Sequence, residues 1–367
     1  MFLYIALIDY ISNEGISKKV LSQSEYFSTI KKKCVTIMVG KLDTTYFLFE
    51  NGLLIETKKI STKNRKLNKK MDHLVDYLKE NNHLFHYFYF RNFLPNLKLL
   101  KMLFFLKNNQ KKVYLEIPTW PYFFEQVYAS KRKLLSILKN LFEYFFIIFF
   151  HNLYEKVFYI RSNSKAFVFS NFYEITNAIL DKVSIDNKKI DSNIFNIVAV
   201  GTIYKYHGFD LLLRMLHKYN MKENKQPVVI TIIGNGPEIK NLSILVKELN
   251  LFNNVKFTGL LSTNQLVEYY IRANLGLGAL KLSLRNANID TSIKNIEYLK
   301  HLTPFASSGK IKNHNIFSDY YFILDKKTKL DDLIDFSNAF YSNSDFKLLM
   351  ALVKKYFTWE YIYHGVF

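Results

Sequence analysis

Two cations suited to holding a departing phosphate, and a carboxylate beside them, stand in one segment, LSLRNANIDTSIKNIEYLKHLTPF (282–305). Arg285 and Lys294 are cations, and Glu297 is a carboxylate three residues beyond Lys294. The pattern predicts a helix opening near Thr291 or Ser292, either of which could cap it, and residues three apart share a helix face. Cations fixed beside a breaking phosphate bond stabilise the charge that builds there. The Lys294–Glu297 spacing equally describes a surface ion pair worth under about 1 kcal/mol, and spacing alone leaves both readings open.

Glycine placement supplies a second signal. Seven of the twelve glycines (Gly201, Gly208, Gly234, Gly236, Gly259, Gly276 and Gly278) lie between 201 and 278, mostly just after a predicted strand or at a helix start. At such places glycine lets the backbone approach phosphates, and a helix N-terminus favours their charge. Ordinary turn and cap glycines would sit there too. Other chemistries lack anchors: the sequence has no GxxxxGK[ST], HExxH, GxSxG or complete GxGxxG. Nor does it contain an Asp-x-Asp to hold a divalent ion on a diphosphate. No metal and no other cofactor is therefore expected, and cationic side chains with helix N-termini take over the leaving phosphate.

These residues need a scaffold, and 367 residues at 43.5 kDa suggest two domains. With 49% hydrophobic and 22% charged residues the chain is neither disordered nor collagen-like. The polar stretch DKVSIDNKKIDSN (181–193) marks a seam, so domains of 1–185 and 195–344 are expected around a linker at 186–194, with a C-terminal helix in 345–367. After the seam strands and helices alternate. NIVAVG (196–201), VVITIIG (228–234), NVKFTG (254–259) and LGLGAL (275–280) read as strands. FDLLLRMLHKY (209–219), EIKNLSILVKELN (238–250) and TNQLVEYYIRA (263–273) read as helices between them. Strict alternation means a parallel sheet with helices on its faces, an α/β fold. The first half is also α/β, with strands at 2–8, 34–40, 83–90 and 112–117 and a helix after Gly15.

A net charge of +20 comes from 51 Lys and Arg against 31 Asp and Glu. It points to nucleic acid, an anionic membrane surface or a phosphorylated substrate, with lysine drift from AT-rich codons as the plain alternative. Residues 1–190 carry 30 basic and 16 acidic side chains, and 191–367 carry 21 and 15. Only 7 basic residues are Arg, the preferred base reader, and none clusters on a reading helix, which disfavours nucleic acid. One cysteine, Cys34, forms neither an internal disulfide nor a zinc site, so a cytoplasmic location is expected. Residues 2–8 lack a preceding basic segment, unlike a signal peptide. In the aromatic stretch 133–160, Glu143 and Glu155 leave eleven residues between them, too few for a bilayer span. A core helix and an interfacial helix with basic flanks Lys131, Arg132, Lys133 and Lys139 both fit it. His83, His86 and His151 sit among aromatics and read as packed histidines rather than ligands. Pro118 and Pro121 make the chain around Thr119 and Trp120 stiff and extended after the strand at 112–117, as suits a wall for a bound acceptor.

Five blocks carry a family resemblance. They are VAVGTIYKYHGFDLLL (198–213), ITIIGNGPEIKNLSILVKELNLFNNVKFTG (230–259), TSIKNIEYLKHLTPF (291–305), YLEIPTWPYFFE (114–125) and ISNEGISKKVLSQ (11–23). The first resembles a Gly-x(6)-Gly-x-Asp opening and the second a GxGP…L…V.F.G block of the GT-B glycosyltransferases, in particular family 4, a retaining group that builds bacterial surface glycans. The other three are similar to segments of a subgroup linked to exopolysaccharide and capsule biosynthesis.

The resemblance implies two Rossmann-like domains facing a cleft, with the C-terminal helix crossing back to the first. Glu297 would bond the donor ribose, and Lys294 with Arg285 would meet the diphosphate. Gly234, Asn235, Gly236 and Pro237 would border the base; Thr202, His207 and Gly208 would form the domain's first loop, and Thr291 and Ser292 would open the phosphate-side helix. Gly15, with Lys18 and Lys19, would face the donor phosphates, and Glu116, Thr119, Trp120 and Tyr122 would lie on the acceptor side. Thr202 and His207 replace an Arg and a Lys that many family members carry, Ile289, with Asp290 adjacent, stands where the first carboxylate of a Glu-x(7)-Glu pair is usual, and Leu302 replaces a glycine. The expected function is metal-independent transfer of a sugar, with retention, from a nucleotide sugar onto a surface glycan linked to a lipid diphosphate, at the inner face of the membrane. An inactive GT-B-like partner or glycan-binding subunit is the rival reading, and the missing Arg and Lys favour it.

Overall fold

The computed structural model describes residues 1–12, 14–41, 43–61, 67–91, 95–123, 126–127, 130, 132–163, 167–180, 188–191 and 193–367, with only the backbone of 67–73. Lys131, most of the 181–193 seam and residues 186, 187 and 192 of the expected linker lie outside the described residues. Two compact units emerge, Met1–Ser12 with Ile16–Thr176 and Asn13–Gly15 with Asn177–Phe367. The division falls at Thr176/Asn177, N-terminal to the expected linker.

The first unit runs β1 (Phe2–Ala6), α1 (Gly15–Lys31), β2 (Lys33–Val39), β3 (Asp43–Glu50), β4 (Leu53–Ser61), α2 (Leu67–Asn81), β5 (Tyr87–Arg91), α3 (Leu97–Asn108), β6 (Lys112–Trp120), α4 (Lys133–Phe150), β7 (Lys156–Arg161) and β8 (Phe172–Ile175). Its sheet has the order β4-β3-β2-β1-β5-β6-β7-β8. Only the β2–β3 and β3–β4 pairings are antiparallel. All five residues of β1 are buried because helices cover both faces of the sheet centre, the condition under which a parallel strand reads as one apolar run. Asn96 starts α3 by accepting the Leu99 N–H at 2.8 Å.

Helix α4 connects β6 to β7, which are hydrogen-bonded parallel neighbours. One stripe, Asn140, Glu143, Phe146 and Ile147, is buried, while Leu134, Leu138, Leu141, Phe142, Phe145 and Phe149 are exposed. By length and composition alone the helix with its following turn, 133–153, is long and apolar enough to cross a membrane even with Glu143, which is buried 3.4 Å from Lys139. As the crossover between adjacent strands, the helix lies along the sheet.

The second unit runs β9 (Phe195–Val200), α5 (Phe209–Asn220), β10 (Val228–Ile233), α6 (Ile239–Glu248), β11 (Val255–Gly259), α7 (Thr263–Arg272), β12 (Leu275–Leu277), α8 (Ile293–Lys300), β13 (Phe305–Ser307), α9 (His314–Phe317), β14 (Tyr321–Ile323), α10 (Leu330–Asn343), α11 (Phe346–Tyr356) and α12 (Trp359–Ile362). Its six strands are all parallel, in the order β11-β10-β9-β12-β13-β14. The order reverses between β9 and β12, where ligands of open α/β sheets bind at the strands' carboxyl ends. Ser262 and Gln265 form a capping box at α7. The single C-terminal helix expected over 345–367 is two helices: the Phe357 carbonyl leaves the helix to accept the Ile179 N–H at 2.8 Å, and Trp359 N–H returns to Ile179 O. Leu349, Met350 and Val353 of α11 pack in the second unit's own core.

Candidate functional site

The loops that leave β9 and β10 lie directly against each other. Ile203 N–H donates to Asn235 O at 2.9 Å, and Glu238 N–H donates to Ile203 O at 3.2 Å. A Cβ on Gly236 would sit 2.4 Å from Ile203 N and O, and one on Gly234, at φ 121°, would sit 2.0 Å from Gly201 O. These two glycines are therefore required by the crossing of two backbones. The crossing also holds Thr202, Asn235 and Pro237 exposed at the carboxyl end of the sheet. Gly208, at φ 67°, ends the short turn 205–207 and starts α5.

His207, Arg285 and Lys294 gather beside these loops. The His207 ring is buried and lies 5.4 Å from the Phe209 ring, over which the Lys294 ammonium is poised at 5.6 Å. Tyr206 packs 4.4 Å from His207 and carries the Arg285 guanidinium 4.5 Å above its own ring. Burial, then the Lys294 and Arg285 charges, push the His207 pKa well below its ordinary value, so the imidazole is neutral at pH 7. Its Nδ1 accepts the Tyr204 N–H at 3.0 Å, which leaves the ring proton on Nε2 as a donor. Lys294 donates to Gly278 O, at the end of β12, at 3.1 Å. Burial lowers its pKa to about 8, with Asp290 acting in the opposite direction. Two cations and one neutral donor thus converge where β9 and β12 end.

Helix α8 positions Lys294 and Glu297 but does not pair them. The Tyr270 hydroxyl donates to Glu297 Oε2 at 2.9 Å, which orients the carboxylate. Burial and then Glu297 hold the Tyr270 pKa well above its ordinary range. Ser292 occupies the N-cap position with extended backbone but makes no capping hydrogen bond, contrary to the expected role. Thr291 is no cap either: its hydroxyl accepts the Lys312 N–H at 2.8 Å. The sequence shows Asp290 only as the acid next to Ile289, without a role. It is buried, accepting the Ala279 N–H at 2.9 Å and the Ser307 hydroxyl at 2.8 Å, and so ties the ends of β12 and β13 together beside Lys294. Tyr206 and Tyr270 were missed, since an aromatic supporting a charge leaves no spacing signal. Among the described residues no group of three or more His, Cys, Asp or Glu side chains could hold a metal ion.

In the first unit Glu116 and Trp120, both expected on the acceptor side, are buried. Glu116 is 0% exposed and accepts from Lys19 Nζ at 2.9 Å, Arg91 Nη1 at 2.9 Å, Gln23 Nε2 at 2.7 Å and the Tyr89 hydroxyl at 2.8 Å. The two cations hold its pKa down to about 2 against the opposing effect of burial. Lys19, expected near a donor phosphate, is spent on this internal pairing. Trp120 is buried, donates to Phe167 O at 2.7 Å and stacks on Tyr144 of α4 at 4.7 Å. Thr119 and Tyr122 flank it half-buried, the latter's N–H bonded to the Tyr144 hydroxyl at 3.1 Å. Gly15 begins α1, exposed, where a side chain would meet nothing within 4 Å. The residues expected to hold the donor in the second unit thus gather at the sheet's carboxyl end, whereas half of the acceptor-side set is internal.

The family model for glycosyl transferases group 1 matches residues 182–277, which cover β9 through β12. No curated protein sequence matches the chain. Solved structures align over nearly its whole length. Sucrose-phosphate synthase from Thermosynechococcus elongatus is 12% identical with a TM-score of 0.65, over 98% of this chain and 96% of that one. Anabaena HepE in complex with UDP-glucose is 11% identical with a TM-score of 0.61, over 98% and 96%. A lipopolysaccharide outer core galactosyltransferase is 13% identical with a TM-score of 0.57, over 98% and 96%. The chain therefore has the GT-B fold. With the group 1 segment in the unit that carries the cationic cluster, it is a transferase.

Proposed function

We propose that the chain transfers a sugar from a nucleotide-sugar donor to a surface glycan, without a metal and with retention at the anomeric carbon. The observation that carries this reading is the convergence of Arg285, Lys294 and the His207 Nε2–H at the carboxyl ends of β9 and β12. A diphosphate seated there meets two positive charges and one neutral donor, and these stabilise the leaving phosphate more as the glycosidic bond loosens. Glu297, oriented by Tyr270, bonds the ribose hydroxyls, and exposed Asn235 and Pro237 border the base. His207 fills the place of a lost cation with a hydrogen bond alone, so binding rests on Lys294 and Arg285.

The acceptor is a glycan on a lipid diphosphate, presented at an anionic bilayer on the cytoplasmic side. The apolar face of α4 and the lysine-rich first half support that surface. Incubation with a panel of labelled nucleotide sugars and lipid-diphosphate glycans, with and without a chelator, tests the reading. Product forms in the chelator with the donor's anomeric configuration, and Lys294→Ala lowers the rate about 10²–10³-fold. Absence of transfer from every donor, with liposome flotation failing at low salt, would overturn it.

A further inference from the structure

Lys188 is a half-buried cation outside the Arg285 and Lys294 cluster, in the segment 188–191 by which the chain enters the second unit's core. Its Nζ donates to Tyr270 O at 2.9 Å, Ala273 O at 2.9 Å and Thr303 Oγ1 at 2.8 Å. All three acceptors are neutral, and burial lowers the pKa of the amine to about 7. An ammonium desolvated against neutral oxygens needs all three bonds to offset its lost hydration.

Two of these oxygens belong to the end of α7, where a helix leaves its last carbonyls without partners and gathers negative charge. The Lys189 N–H donates to a third carbonyl there, Ile271 O, at 3.1 Å. Residues 188 and 189 thus cap α7 from a distant part of the chain. The Thr303 hydroxyl also donates to Tyr270 O, at 2.9 Å, so Lys188 and Thr303 together clamp the main chain of Tyr270. The opposite end of that residue is the hydroxyl that donates to Glu297 Oε2 at 2.9 Å. Between the two ends the ring is 1% exposed, edge-on to Tyr298 at 5.3 Å and stacked on His301 at 5.4 Å. A ring packed this closely carries a shift of its main chain through to its hydroxyl.

We propose that Lys188 is a positioning residue for recognition of the donor ribose: by capping α7 it fixes Tyr270, and through Tyr270 it aims the carboxylate of Glu297. This role rests on Glu297 bonding the ribose hydroxyls. Without the ammonium the end of α7 loses the donor that bridges two of its carbonyls, and the bond that aims Glu297 loosens. Arg285 and Lys294 are held by Tyr206 and Gly278 O instead, so phosphate binding is unchanged.

Titration calorimetry with UDP, ADP, GDP and CDP and with their 2′,3′-dideoxy counterparts isolates the ribose contact. The wild type binds one ribo form about 10–100-fold more tightly than its dideoxy counterpart, the worth of a hydrogen bond to a charged group. Lys188→Met lowers that ratio by about threefold or more and leaves affinity for the dideoxy form unchanged; Tyr270→Phe lowers it too, and the double variant is no worse than Tyr270→Phe alone. Lys347→Met, an exposed control for the lost charge, keeps the ratio. Thr303→Val removes the other half of the clamp, repeats the fall, and decides the matter if Lys188→Met does not fold. A full ratio in Lys188→Met, or an equal loss of both ligand forms as a merely structural role would give, overturns the positioning role alone. A wild type that binds none of these diphosphates, or binds one without regard to its ribose hydroxyls, overturns the donor-site reading and the positioning role with it.

Discussion

Replacing either partner of one buried ion pair in the first unit has unequal consequences. Glu116 is a single carboxylate between two cations, Lys19 and Arg91, and all three side chains are at most 5% exposed. Glu116→Gln removes the carboxylate that both cations share, and removing one partner of a buried pair costs about 3–5 kcal/mol. Arg91 cannot shed its proton to escape this, although Lys19, whose pKa burial already lowers to about 8, can do so in part. Lys19→Met instead leaves Arg91 and Glu116 matched one to one and removes an unfavourably desolvated ammonium, so it costs about 1 kcal/mol, the net value of one hydrogen bond. Urea unfolding followed by tryptophan fluorescence separates the two. The chain has two tryptophans, one in each unit, so in a Trp359→Phe background Trp120 reports on the first unit alone. If Lys19→Met lost as much stability as Glu116→Gln, the picture of one carboxylate holding two cations would be refuted.

Further outcomes follow from the same geometry. Because the folded Glu116 pKa lies at about 2, below its ordinary 4.5, its contribution is fully present above pH 4.5 and is lost as pH falls towards 2; acid unfolding of the first unit should therefore flatten in Glu116→Gln. Gly234→Ala drives a Cβ to 2.0 Å from Gly201 O at a positive φ, and a loss of about 3 kcal/mol or more in the second unit, read by thermal unfolding, is expected. Lys294 loses its proton as pH rises through about 8, so affinity for a nucleoside diphosphate should fall above that pH while no inflection from His207 occurs between pH 6 and 8; titration calorimetry across that range checks both.

Strands covered on both faces were readable, because continuous apolar runs such as NIVAVG and VVITIIG leave few alternatives. The β3–β4 hairpin was not, since β4 is exposed throughout and its LLIETKKIS carries no burial pattern to detect. β13 and β14 are three residues each, too short for any periodicity to register. In the site, Arg285, Lys294 and Glu297 announced themselves as charges at a helix start. Their supports did not: Asp290, Tyr206 and Tyr270 act through contacts set by tertiary packing. Glu116 and Trp120 show that a motif does not signal exposure: both are buried and internally bonded. Two of the glycines, Gly234 and Gly236, have a cause that spacing did not suggest, the crossing of two backbones.

Binding of a nucleoside diphosphate to the second unit tests the central claim most directly. Thermal unfolding in the presence of a panel of nucleoside diphosphates and their sugars should show one base class that stabilises the wild type, by about 2.7 kcal/mol at a hundred times its Kd. Lys294→Ala and Arg285→Ala, each folded, should abolish that shift. Stabilisation by no member of the panel, or a full shift retained when both cations are removed, would contradict the account.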